Sequence, residues 1–195
     1  MSGVEKMTSA GTPVTAVENP SLRIVNALPS NPYDGQEICY QNAAMETAGL
    51  VWRFRYRATS SSAYKWEFIG GPEWMETNDG TDTLNNATFG DLGTNVIVTI
   101  PLAGDYRVRT AMAGAAGAAG HVQYMSYKIG ATNAVSSDGV RLQGAGVNYP
   151  QASVSRTQRK NALAAATDLK LQYATDASVC TFFHRSLSVA PIRVG

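Results

Sequence analysis

Two histidines, two cysteines and a handful of carboxylates are the residues of this 195-residue chain from which chemistry could be built. His121 and His184 stand far apart in sequence. Neither Cys39 nor Cys180 has a ligand-type neighbour, so the short spacings of a zinc site are absent. His184 follows Phe182 and Phe183 in an apolar run, where a packed or rim histidine is the plainer reading. Asn78, Asp79, Asp82 and Asp91 offer oxygens for a hard cation. The fragment NDGTD nevertheless lacks the twelfth-position glutamate of an EF-hand, and a polar connecting loop explains it as well. Glu37, Glu67, Glu73 and Glu76 are the candidates for paired acid–base work, yet nothing in the spacing brings two together. Ser60, Ser61 and Ser62 fall in a turn with no base beside them. No HExxH, GxSxG, Walker-type or GxGxxG pattern occurs. The expectation is a protein without catalytic residues, cofactor or metal.

Charge narrows the partners. Sixteen basic and fifteen acidic residues give a net charge of +1, and only 16% of residues are charged. Phosphate-backbone binding needs a concentrated basic surface. The two basic groups here are Arg53, Arg55 and Arg57, and Arg156, Arg159 and Lys160. The first alternates with aromatics on the opposite face of a strand, so a solvated or subunit-contact face is expected and nucleic acid is not. No run approaches the roughly 18 apolar residues of a membrane span, and positions 1–10 lack the apolar core of a secretion signal. Two cysteines cannot make a disulfide framework, and both are read as thiols.

The elements that must position these groups are strands. Segments 36–41, 50–57 and 64–69 read as three, the second alternating Leu50, Trp52, Phe54 and Tyr56 with Val51, Arg53, Arg55 and Arg57. Placing Trp52, Phe54, Tyr56, Trp66 and Phe68 on one face sets Arg55 opposite Glu67, Phe54 opposite Phe68 and Tyr56 opposite Trp66. Residues 59–63 are then the hairpin loop. These five aromatics are the candidates for packing and attachment. Gly70, Gly71 and Pro72 break the pattern, and a domain boundary is placed between Gly71 and Asp79.

From Thr94 onward, short strands alternate with turn chemistry: 95–100, 105–112, 121–129, 139–143, 151–159, 168–174, 179–184 and 186–194. The one helix-like window, 161–166, is too short to carry function. The run AGAAGAAG at 113–120 reads as a loop. The expected fold is all-β: a small N-terminal antiparallel module joined to a β-sandwich of jelly-roll type. Four segments follow: an extended arm (1–20), the β module (21–72), a linker (73–93) and a jelly-roll knob (94–195).

The stretch LPSNPYDGQEICYQ (28–41), followed by LVWRFRYRATSSSAYKWEFIGGP (50–72), resembles a small N-terminal module of tailed-bacteriophage structural proteins. PLAGDYRVR (101–109) and FFHRSLSVAPIRV (182–194) look like the trimeric jelly-roll knobs of phage fibres and appendages, similar in fold to tumour-necrosis-factor and complement heads. The resemblance implies a virion structural protein, assembled in a bacterial cytoplasm as a homotrimer. It would be a capsid decoration or head-fibre protein, bound to the major capsid protein through arm and module. The alternative is a minor tail, baseplate or tail-fibre protein that contacts a host-surface glycan. Tyr106, Tyr124, Tyr127, Tyr173, Phe182 and Phe183 are then candidate trimer contacts, with the chain's own core as their competing fate, and Asn148 and Tyr149 a candidate knob loop.

Overall fold

The computed structural model describes residues 23–116, 119–144, 152–176 and 178–195. Thirteen strands follow in chain order. They are β1 (Ile24–Val25), β2 (Glu37–Tyr40), β3 (Trp52–Tyr56), β4 (Trp66–Gly70), β5 (Trp74–Asn78), β6 (Asp82–Leu84) and β7 (Ile97–Thr99). The rest are β8 (Gly104–Ala116), β9 (Val122–Ile129), β10 (Val140–Gln143), β11 (Ala152–Leu163), β12 (Asp168–Thr175) and β13 (Cys180–Val194). A single helical turn, α1 (Ala43–Thr47), joins β2 to β3. Asn42 caps it by accepting the Met45 N–H at 2.9 Å, and Met45 is its buried anchor. The fold is all-β and sandwich-like. A nine-stranded sheet in the order β1-β2-β3-β4-β13-β8-β11, with β5 and β6 also on β13, lies against a four-stranded sheet, β10-β9-β12-β7.

The aromatic hairpin takes the register its alternation demands: Phe54 pairs with Phe68, Arg55 with Glu67 and Tyr56 with Trp66. Its inner face merges with the sandwich core instead of closing on itself. Trp52 is fully buried, packs edge-on to Phe54 and Phe68, and lies 6.4 Å from the ring of Tyr106 on β8. One continuous cluster runs from Ile38 and Trp52 through Val108 and Leu187 to Met125, Leu171 and Tyr173. Each such side chain stabilises the fold by about 1.5–3 kcal/mol.

Residues 73–93, expected as a linker, carry two strands hydrogen-bonded to β13. Its fifteen residues take up β4, β5 and β6 in succession along one edge: Val194 opposite Trp66, Val189 opposite Trp74, and Phe182 opposite Asp82. The chain leaves β4 at Gly71, whose φ of +128° and position 2.4 Å (from an added Cβ) to the Val51 carbonyl admit only glycine. The break at 70–72 is therefore a tight corner within one sheet. The expected module and knob share that sheet and one core. The expected arm, 1–20, lies outside the described residues.

Candidate functional site

The six aromatics considered as contacts between copies divide by burial. Tyr106, Tyr127, Tyr173 and Phe182 are all but inaccessible within the chain's own core, so they cannot form the trimer contacts envisaged for them. They sit on strand positions facing the opposite sheet, and burial pushes the three tyrosine hydroxyls well above their usual range. Tyr124 and Phe183, on the alternate positions, remain half-buried at the surface. Arg141 lies 5.9 Å over the Tyr124 ring. Of the attachment candidates, Trp52, Phe54 and Trp66 are buried, while Tyr56 and Phe68 are half-buried against the same core. Asn148 and Tyr149 lie outside the described residues.

The groups considered for cation binding are dispersed and engaged. Asp79 pairs with His184 (3.2 Å), Asp82 with Arg185 (2.5 Å) and Asp91 with Lys170 (2.5 Å), while Asn78 accepts the Gly80 N–H. Among the described residues no three His, Cys, Asp or Glu side chains converge. Cys39 on β2 is half-buried, and Cys180 is buried at the start of β13.

One constellation escaped the sequence reading because its members are 55 and 57 residues apart. At one end of the sandwich, His121, Asp176 and Ser178 meet. Asp176 Oδ2 and Ser178 Oγ both address His121 Nδ1, the former at 3.1 Å. A serine nucleophile needs its hydroxyl on one ring nitrogen and the carboxylate on the other. With both on Nδ1 the imidazole cannot relay a proton between them. Asp176 also accepts the Val122 N–H at 3.0 Å, so the cluster acts as a clasp fastening the turn before β13 to β9.

On the outer face of the large sheet, the alternate positions of β3 build an ion-pair network. Glu37 takes Arg55 at 2.5 Å and Arg53 at 3.2 Å, while Glu67 takes Arg193 at 3.0 Å and Arg57 at 3.2 Å. Arg55 stands opposite Glu67 yet bonds Glu37, because β2 flanks β3 on its other side and supplies a carboxylate also directly across. The hydrogen bond from Arg55 holds the Glu37 carboxyl below its usual range. The Lys170 ammonium does the same for Asp91. At Asp176, partial desolvation opposes the hydrogen bonds from His121, Ser178 and Val122, and the hydrogen bonds prevail. All three folded-state values lie below the unfolded ones, so their stabilisation is present above about pH 4 and is lost as pH falls through the lowered values. Melting temperature should stay flat from neutrality to about pH 5 and drop below about pH 4. Lys170→Met should lower it at neutral pH and converge with the parent in acid. A Lys170→Met deficit that persists in acid would remove the Asp91 pair from this account.

Farther along the same face, β8 points Arg107, Arg109, Ala111 and Ala113 outward, opposite Arg159, Thr157, Ser155 and Ser153 of β11. On its other side β13 bulges between Phe183 and Ser186, and His184 there adopts a left-handed backbone (φ 38°). A shallow groove of about 370 Å³ results, lined by Arg109, Ala111, Ala113, Ser153, Ser155 and His184. The spelling RVR at 107–109 was the available signal for the exposed arginines, since alternate positions of a one-sided strand share a face.

Among the described residues, no helix is long and apolar enough to cross a membrane. No protein-family model matches the sequence, nor does any curated protein. Solved structures align in part. A VP2 protein of infectious bursal disease virus is 8% identical over 72% of this chain and 41% of its own, with a TM-score of 0.43. The C-terminal CBM6 of LamC from Zobellia galactanivorans is 12% identical over 60% of this chain and 99% of its own (TM-score 0.32). The module CBM6cm-2 of Cellvibrio mixtus lichenase 5A is 16% identical over 69% and 85% (TM-score 0.31). This chain spans only 37–41% of the infectious bursal disease virus chains it aligns with. Likenesses this distant carry no conclusion about what the chain does.

Proposed function

We propose that this chain is a structural component of a tailed-bacteriophage particle, a capsid decoration or head-fibre protein without catalytic activity. In this reading residues 1–20 and the β2–β4 end of the large sheet bind the major capsid protein, and the β8–β13 sandwich projects as part of a homotrimer. The observation that carries the reading is the pair of segments 28–41 and 50–72, whose phage-module pattern coincides with β2, β3 and β4 and their hairpin register. The scarcity of charge fits a chain that spends its surface on subunit contacts, whose centres are depleted of charged residues. Three linked attachment points would hold a particle firmly through individually modest contacts.

The test is quantitative mass spectrometry of purified particles, comparing copies of this chain with copies of the major capsid protein. Hundreds of copies identify a decoration protein. A few to a few tens transfer the assignment to the tail or a vertex, and absence from particles overturns it. Deleting residues 1–20 should abolish attachment while leaving a soluble trimer by sedimentation; normal occupancy by the truncated chain would refute the anchoring role. The open, cationic outer face of β8 favours a second reading, a tail or baseplate protein whose projecting part contacts the host surface.

A further inference from the structure

The groove on the outer face of the large sheet combines features that packing does not require. Most arginines on this face have carboxylate partners: Arg53 and Arg55 with Glu37, Arg57 and Arg193 with Glu67, and Arg159 with Asp105 at 2.7 Å. Arg107 and Arg109 are exposed and make no ion pair with any described residue. They stand two residues apart on one face, where two uncompensated guanidinium groups repel each other and concentrate positive potential. The Ser153 and Ser155 hydroxyls likewise have no hydrogen-bond partner among the described residues. His184 is held in a left-handed backbone conformation that a non-glycine residue adopts only under constraint. Asp79 engages its Nδ1 at 3.2 Å, and Nε2 has no hydrogen-bond partner among the described residues.

We propose that this groove binds an acidic glycan, with a ring carboxylate on Arg109. The guanidinium fork matches a carboxylate with two parallel hydrogen bonds. Ala111, half-buried, projects only a Cβ atom and offers a small apolar floor on which the C–H face of a pyranose can lie, with Ala113 buried beside it. Phe183, opposite Ala113 on β13, borders that floor. Ser153 and Ser155, about 7 Å apart along β11, and His184 Nε2 offer hydrogen bonds to ring hydroxyls. Arg107, one pleat farther, reaches the next acidic unit of a polymer. A saccharide is favoured over an acidic peptide because the groove lies on the sheet's face. There the main-chain groups of β8 are spent on β11 and β13, so a peptide lying along this floor finds no ladder in it; a peptide that paired with the open edge of β11 would lie beside the groove, not in it.

The test titrates the full chain with trigalacturonate, maltotriose, triglutamate and inorganic phosphate, following isotope-labelled amides by NMR. Trigalacturonate should perturb Arg109, Ala111, Ser153 and Ser155 saturably, and more weakly as salt is raised. Arg109→Ala should weaken it about tenfold or more, with a melting temperature equal to the parent's because the exposed Arg109 side chain makes no ion pair or hydrogen bond with any described residue. Arg107→Ala should have a smaller effect, and Ser153→Ala with Ser155→Ala an independent one. Equal binding by Arg109→Ala, equal binding of maltotriose, triglutamate or phosphate, or no saturation by trigalacturonate up to about 10 mM would each overturn the inference. It does not rest on the virion reading. A chain that binds trigalacturonate but is missing from particles keeps one and loses the other.

Discussion

Asp82→Ala should destabilise the protein by about 3 kcal/mol, while Asp82→Ala combined with Arg185→Met should return most of that loss. Arg185 is fully buried between the sheets, placed there by the β13 bulge. Its guanidinium meets Asp82 at 2.5 Å and the Gly80 carbonyl at 3.2 Å, and stacks 5.6 Å from the Tyr173 ring centre. Removing Asp82 strands a charge in the core, and that desolvation cost is what the measurement reads. The lower end of the usual range applies because Asp82 keeps 27% of its side chain accessible. Arg185 Nε and the Tyr173 hydroxyl have no hydrogen-bond partner among the described residues, so the cluster is not fully satisfied even when intact. An unbranched apolar side chain of similar length should therefore be tolerated. The check is urea denaturation of parent, single and double variants. Additive losses in the double variant would mean that Arg185 stabilises by packing, not through its charge pair.

What was legible in the sequence follows from period and locality. The β3 and β4 faces, their register and the β8–β13 succession could be read because strands alternate and turns punctuate. β5 was missed because WMETN reads as polar, and its partner in β13 lies more than a hundred residues away. The burial of Arg185 was illegible for a related reason. A charged residue in an alternating strand is read as outward, and the bulge at His184 that turns it inward has no local signature in FFHRS. Tyr106, Tyr124, Tyr127 and Tyr173 had two candidate fates, a contact between copies or the chain's own core. Sequence alone did not decide between a neighbour copy and the opposite sheet, and in the structure the opposite sheet supplies the cover, the small one over Tyr106 and the large one over Tyr127 and Tyr173. The His121 clasp and the β8 groove each unite residues from distant strands, so only the topology brings them together.

Trp52→Ala should cost about 3–5 kcal/mol and should do so across the whole described fold at once. The indole fills the junction between the hairpin and the sandwich, touching Phe54, Phe68 and Tyr106 and donating its N–H to the Pro72 carbonyl at 2.8 Å. Truncation would open a cavity against Tyr106, leave that carbonyl without its donor and loosen the corner at Gly71 where β4 gives way to β5. Were the aromatic module an independent domain, only its own transition would move. A shared core and a sheet that passes through β4 into β13 require instead that tryptophan fluorescence and far-ultraviolet circular dichroism shift together as one cooperative transition. Trp52→Phe should lose less, because the ring is partly replaced and only the N–H bond is forfeited outright. Two separable transitions, with only the fluorescence one displaced, would split the core at Trp52 and restore a boundary near Gly71. A single displaced transition ties any load on the β2–β4 end mechanically to the sandwich beyond it, which an anchor for a projecting body requires.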